Sequence, residues 1–190
     1  MELERRLFRE VTLTFKFRSH APGFVKRIVW DWKHRHTRVN PKGFPHELLE
    51  CLGSLDSDSG VVDLGCGPGN LRAALRSRGW NGHYVGVDVS QEVIEVAKKS
   101  KDTNAEWHVS TIEEFPILSH KVSTICFCET IYYVKPEFVL RLLEQCRQSL
   151  VCGGRIVIRI WDTKQHRDYV AIVAGLGAQS DPPIYILSKE

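Results

Sequence analysis

The chain has 190 residues, 43% of them hydrophobic, with 26 Lys or Arg against 23 Asp or Glu and a formal net charge of +3. That length and apolar content suit one domain with a substantial core, and the absence of any run of 18 apolar residues excludes a bilayer-spanning helix. The six cysteines form no C-x-x-C pair and several fall in predicted core elements, which favours a reducing, cytoplasmic setting over a disulfide framework.

The first ten residues, MELERRLFRE, place acids among arginines and have no apolar h-region, so neither a secretory nor an import signal is expected. Residues 5–42 carry eleven basic side chains (Arg5, Arg6, Arg9, Lys16, Arg18, Lys26, Arg27, Lys33, Arg35, Arg38 and Lys42) against Glu10 and Asp31, a local net of +9. Residues 43–190 carry 15 basic and 19 acidic side chains, a net of −4. This asymmetry predicts a basic helical N-terminal extension over 1–42, a lid ahead of a single globular unit over 43–190. Its charge suits an anionic acceptor, an acidic membrane surface or nucleic acid, or is simply the solvated face of two helices. Trp30 and Trp32 do not share a helical face, so one of them is expected to line a pocket or cover a ligand. His34 and His36 lack the partners a metal site needs, and no metal is expected.

Residues 61–70, VVDLGCGPGN, read as a buried strand running into a tight turn, and LRAALRSR then carries helical spacing with Leu71 and Leu75 on one face. Gly65, Gly67 and Gly69 permit positive φ and close approach of a ligand. Such a turn sits where open α/β sheets bind ligands. The spacing is G-x-G-x-G, without the third glycine of the dinucleotide fingerprint. Asp63 stands two residues before the first glycine, where a carboxylate repels a pyrophosphate and suits a cation. The decapeptide resembles motif I of the class I S-adenosylmethionine (SAM)-dependent methyltransferases, whose cofactor carries an amino group and a sulfonium.

Downstream elements extend the resemblance. Tyr84 to Val89 is an apolar strand ending in Asp88, followed by a helix capped by Ser90. The family likeness assigns Asp88 to the two ribose hydroxyls, each such charge-assisted bond contributing roughly 1.5–3 kcal/mol, and lays Val89 against the adenine face. Ala105 to Val109 is the third strand. The family usually has an Asp near the following position 111, accepting from the adenine amino group; Thr111 departs from this, offering an uncharged acceptor, and Ile112 is expected to pack on the ring. Lys121 to Cys128 is the fourth strand, with Cys126 and Cys128 on one face, and Glu129-Thr130-Ile131-Tyr132-Tyr133-Val134 leaves it at the functional edge. A helix follows from Pro136, at the favoured first position, to Leu150. Val151-Cys152-Gly153-Gly154 resembles the family's L-x-P-G-G turn, and Arg155 to Ile160 is strand five. Residues 163–174 predict one helix and Ile184 to Ser188 a last strand, so strand six must be stunted or absent.

The expected architecture is therefore α/β: a doubly wound, mostly parallel sheet flanked by helices, the class I methyltransferase fold, with a shortened C-terminal hairpin. The resemblance implies SAM as cofactor, S-adenosylhomocysteine (SAH) as its product, and a cofactor set of Asp63, Gly65, Cys66, Gly67, Gly69, Asp88, Val89, Thr111, Ile112 and Cys128. Glu129 is the candidate general base, or else a partner for the cofactor's amino-acid portion or a helix cap. Tyr133, with Tyr132, is placed to frame the acceptor, although one of two adjacent tyrosines is normally core. The segment ETIYYV and Arg35-His36-Thr37 are similar to small nodulation-type N-methyltransferases, which leans the reading toward nitrogen or oxygen of a small metabolite, an anionic one suiting the basic extension. The Glu- and His-rich set of metal-dependent small-RNA methyltransferases is absent, so nucleic acid is not favoured. An RNA- or protein-directed methyltransferase docking through the basic segment, and a non-catalytic SAM-binding protein, are the alternatives.

Overall fold

The structure, a computed structural model, describes residues 19–36, 43–53, 55–56 and 58–190. Of the eleven basic side chains counted above, Arg5, Arg6, Arg9, Lys16, Arg18, Arg38 and Lys42 lie outside the described residues, as does Thr37. Among the described residues seven strands are formed: β1 (Val61–Leu64), β2 (Tyr84–Asp88), β3 (Ala105–Val109), β4 (Val122–Cys128), β5 (Leu150–Arg159), β6 (Gln179–Asp181) and β7 (Ile184–Ser188). They make one sheet in the order β3-β2-β1-β4-β5-β7-β6. The first five strands pair in parallel, while β7 runs antiparallel to both β5 and β6. Strand β1 is covered on both faces and buried throughout, which is why it reads as a continuous apolar run broken only by Asp63.

The helices are α1 (Gly23–His36), α2 (His46–Cys51), α3 (Asn70–Ser77), α4 (Gln91–Lys98), α5 (Pro136–Ser149) and α6 (Arg167–Gly175). Helices α3 and α4 follow from local signals. Gly69 opens α3 from the left-handed region (φ 84°), and a Cβ there would stand 2.6 Å from the Trp107 ring. Ser90 caps α4 by accepting the Val93 N–H, and Val93, Ile94 and Ala97 form its buried face. Strand alternation divides the core in two. Val62, Leu64, Ile125, Phe127, Ile156 and Ile158 pack with α5 and α6. Val61, Tyr84, Cys126 and Val157 pack with α2, α3 and Trp80 on the other side.

Two expectations shift. The last helix begins at Arg167, four residues later than its apolar pattern suggests, because residues 163–166 form turns ahead of it. Strand β5 begins already at Leu150, paired with Val122; residues 151–154 bulge before Arg155 resumes the ladder beside Thr124. Strand six is stunted, as expected, at three residues. Cys126 and Cys128 do face one side of the sheet, and all six cysteines are free thiols.

Candidate functional site

The segments leaving β1, β2, β3 and β4 meet at the carboxyl edge of the sheet, around a cavity of about 270 Å³. Gly65 and Gly67 come from the turn after β1, Asp88 and Val89 from the end of β2. Ser110, Thr111, Ile112 and Glu113 follow β3; Cys128, Glu129, Thr130 and Tyr133 end or follow β4; Lys26, Trp30 and His34 of α1 form the roof. A second cavity of about the same size lies across the glycine turn. Phe44, Pro45, Asp63, Cys66, Pro68, Asn70 and Leu71 line it, and it shares Gly65, Gly67, Cys128 and Glu129 with the first.

The turn decides what these cavities can hold. Gly65 and Cys66 both donate their N–H to the Val87 carbonyl, Gly69 donates to the Cys66 carbonyl, and Gly67 donates to Asp88 Oδ2 at 3.0 Å. Pro68 has no N–H. Every amide of residues 65–69 is thus occupied within the protein, whereas a phosphate cradle needs such groups aimed at its ligand. Gly65 is confined by more than its φ of 90°: a Cβ there would overlap the Thr130 methyl at 2.2 Å, and the Thr130 hydroxyl is anchored on the Leu64 carbonyl at 2.5 Å. The turn and the segment after β4 therefore lock together.

Two carboxylates flank the turn. Asp88 also accepts the Ser90 N–H at 2.9 Å, and burial raises its pKa from the ordinary value against the opposing pull of its backbone hydrogen bonds. Asp63 is 2% exposed and accepts from the Tyr84 hydroxyl at 2.7 Å; among the described residues its buried Oδ1 has no partner. Burial lifts Asp63 to about 7, the Tyr84 bond opposing and the Asp88 charge adding to the rise. An orphaned buried carboxylate oxygen is a vacancy for a cation or a donor. Glu129, at φ 62°, pairs with Arg159, whose guanidinium is nearly buried and reaches Glu47 at 3.5 Å as well. Burial pushes the neighbouring Cys128 thiol up to about 12, leaving it un-ionised.

Helix α1 is fastened over the first cavity at three points. Lys26, 7% exposed, donates to Glu113 Oε1 at 2.7 Å and to the Tyr133 carbonyl at 2.9 Å. Trp30 meets the Tyr133 ring edge-on at 5.3 Å. Asp31 accepts from the Ser90 hydroxyl and the Glu92 N–H at the start of α4, and Arg35 pairs with Glu92 at 2.7 Å.

Residues 61–154 match a family model described as a methyltransferase domain. With the 3-2-1-4-5-7-6 sheet and the occupied glycine turn, that match decides the domain's class. These residues form a methyltransferase domain, and the sheet has the class I methyltransferase fold. A trans-aconitate 2-methyltransferase of Azoarcus sp. (strain BH72) is 45% identical over 116 residues, which cover 60% of this chain and 44% of that protein. The chain spans less than half the length of the curated relatives it matches. Among solved structures, the N-methyltransferase NodS of Bradyrhizobium japonicum WM9 superposes with a TM-score of 0.60 at 17% identity, over 75% of this chain and 92% of that one. A geranyl diphosphate C-methyltransferase of Streptomyces coelicolor A3(2) gives 0.56 at 20% identity, over 70% and 58%. At these identities the structural likeness speaks for the fold alone.

Within this methyltransferase domain the predicted site residues separate into groups. Gly65, Gly67, Asp88, Val89, Thr111, Ile112, Cys128, Glu129 and Tyr133 converge on the first cavity, and Asp63 and Cys66 on the second. Gly69 lines neither cavity; it caps α3 against Trp107. Thr111 lies at the wall, yet its hydroxyl donates to Glu114 Oε2 at 2.8 Å and accepts the Glu114 N–H at 3.2 Å. It closes its own turn with its proton and one lone pair, so a single lone pair is left for the uncharged acceptor role expected of it. Tyr132 is the core tyrosine, stacked on His166 at 3.9 Å, which leaves Tyr133 for the cavity. Trp30 lines the cavity while Trp32 stacks on His36. Sequence reasoning missed Lys26 and Glu113 as a clasp and Arg159 as the partner of Glu129. The four-residue spacing of Lys26, Trp30 and His34, one face of a helix, was the available signal for the roof; nothing local marks Arg159.

Proposed function

We propose that this domain binds SAM across the two cavities and transfers its methyl group to a nitrogen or oxygen of a small, anionic acceptor. The observation that carries the reading is the glycine turn with its amides occupied and two carboxylates beside it, which suits a positively charged adenosyl thioether and disfavours a phosphorylated nucleotide. Asp88 holds the ribose hydroxyls with the lone pairs left after its two backbone bonds. Asp63, with Oδ1 unpartnered, faces the cofactor's ammonium from the second cavity. Val89 and Ile112 flank the base. When bound, SAM supplies an electrophilic methyl on a sulfonium, and the protein's task is to hold the nucleophile in line with it, an orientation effect that can supply roughly 7–11 kcal/mol.

Glu129 lies where the two cavities join. Arg159 fixes its Oε1, and Oε2 is left for a proton from a neutral or ammonium nucleophile. Tyr133, braced by Trp30 and by Lys26 at its carbonyl, walls the acceptor side. The anionic character rests on the basic residues of α1 and the stretch before it, and on the likeness to a trans-aconitate 2-methyltransferase. Two measurements test the reading. Calorimetry with SAH is expected to show binding, with NAD and ATP failing to compete. Incubation with isotopically labelled SAM and a panel of carboxylate-bearing small molecules is expected to label one by mass spectrometry. Competition by NAD or ATP, or label passing to RNA instead, overturns it.

A further inference from the structure

The roof of the first cavity contains a hydrogen-bond relay. The Ser90 hydroxyl has one proton and two lone pairs. Its proton goes to Asp31 Oδ1 at 2.7 Å. One lone pair takes the Val93 N–H of the helix cap at 3.5 Å; the other faces His34 Nδ1 at 3.0 Å. The proton in that last contact must therefore be the histidine's. Burial, and next to it the Lys33 charge, push His34 down to about 4 against the opposing pull of Asp31 and Glu92, so at neutral pH the ring holds one proton. With Nδ1 protonated, Nε2 is bare, and the ring lies in the cavity wall.

From this arrangement we propose that His34 binds the ligand: locked as the Nδ1–H tautomer by Asp31 and Ser90, it offers Nε2 as a neutral acceptor to an O–H or N–H of the bound nucleoside. The placement favours the nucleoside over the methyl acceptor. Ser90 stands two residues beyond Asp88, whereas Trp30 separates His34 from Tyr133, stacking on the first at 5.5 Å and meeting the second edge-on at 5.3 Å. The site also has use for an acceptor, since Glu114 takes the Thr111 proton and one of its lone pairs and leaves that hydroxyl a single lone pair. Asp31 and Ser90 are positioning residues here, and the proposal rests on the adenosyl reading of the cavity.

The experiment is side-chain ¹⁵N spectroscopy of His34 in the whole chain, first free and then titrated with SAH. The free protein is expected to show a protonated Nδ1 and a bare Nε2, and SAH to shift the Nε2 resonance to lower frequency. His34→Phe should weaken SAH roughly tenfold, the scale of one hydrogen bond. Asp31→Ala frees the Ser90 proton for Nδ1 and should move the ring toward the Nε2–H tautomer, a change that a merely structural role would not produce. An Nε2–H tautomer in the free protein, or SAH bound with the Nε2 resonance unmoved, overturns the proposal while leaving the adenosyl reading intact. Absence of SAH binding by calorimetry removes that reading, and the proposal with it.

Discussion

Asp88→Asn separates the two roles of the carboxylate after β2. Its oxygens accept the Gly67 N–H at 3.0 Å and the Ser90 N–H at 2.9 Å. Whichever way an asparagine amide is turned, its NH2 group faces one of these donors. One charge-assisted bond is lost, roughly 1.5–3 kcal/mol, and a buried N–H is left opposing another. At about 2–4 °C per kcal/mol for a chain of this size, Tm should fall by roughly 3–12 °C. Binding should suffer separately. The neutral amide offers the ribose hydroxyls fewer and weaker acceptors, so SAH affinity should drop about tenfold to a hundredfold. Thermal unfolding and calorimetry with SAH, on the same preparation, read the two effects apart. A lowered Tm with unchanged SAH affinity would reduce Asp88 to a clamp on the glycine turn. An unchanged Tm would refute the reasoning about the turn itself.

Four further outcomes are expected. Glu129→Gln should lower turnover of the labelled acceptor by roughly 10²-fold, the scale of general-base catalysis, with SAH affinity little changed; equal turnover assigns Glu129 to structure. Gly65→Ala places a methyl 2.2 Å from Thr130 on a backbone at φ 90°, so SAH binding should be abolished or Tm depressed, and a wild-type result in both would contradict the packed turn. Lys26→Met keeps the aliphatic stem but removes the bonds to Glu113 and Tyr133; amide hydrogen exchange in α1 should quicken roughly tenfold, and unaltered exchange would mean the clasp does not hold the roof. For Asp63, the folded pKa of about 7 lies above its ordinary 3.8, so its contribution to stability is full below pH 3.8 and is lost as pH rises toward 7. The wild-type protein should thus lose stability across that window relative to Asp63→Asn, by denaturant titration. A ligand ammonium beside Asp63 favours its ionised form, so SAM affinity should rise over the same range, and a flat profile would place the ammonium elsewhere.

The sequence alone determined the parts of this protein whose signal is local. Residues 61–69 announce a strand and turn because burial on both faces demands an apolar run and the close contacts at Gly65 and Gly69 exclude a side chain. Asp88 and Ser90 are legible for the same kind of reason, a strand end followed by a helix cap, and the order of strands and helices then leaves few ways to wind the sheet. Tertiary structure decided which of these groups are available. Thr111 was legible as a departure from the family, but only the fold shows its hydroxyl engaged by Glu114. Glu129 was legible as the residue leaving strand four, but Arg159, thirty positions away, claims one of its oxygens. The roof is the clearest case: Lys26 meets Glu113, and His34 meets Ser90, across separations of 87 and 56 residues. Hydrogen-bond partners so distant leave no periodicity in the chain, because what joins them is the packing of α1 onto the sheet edge and not any rule of spacing.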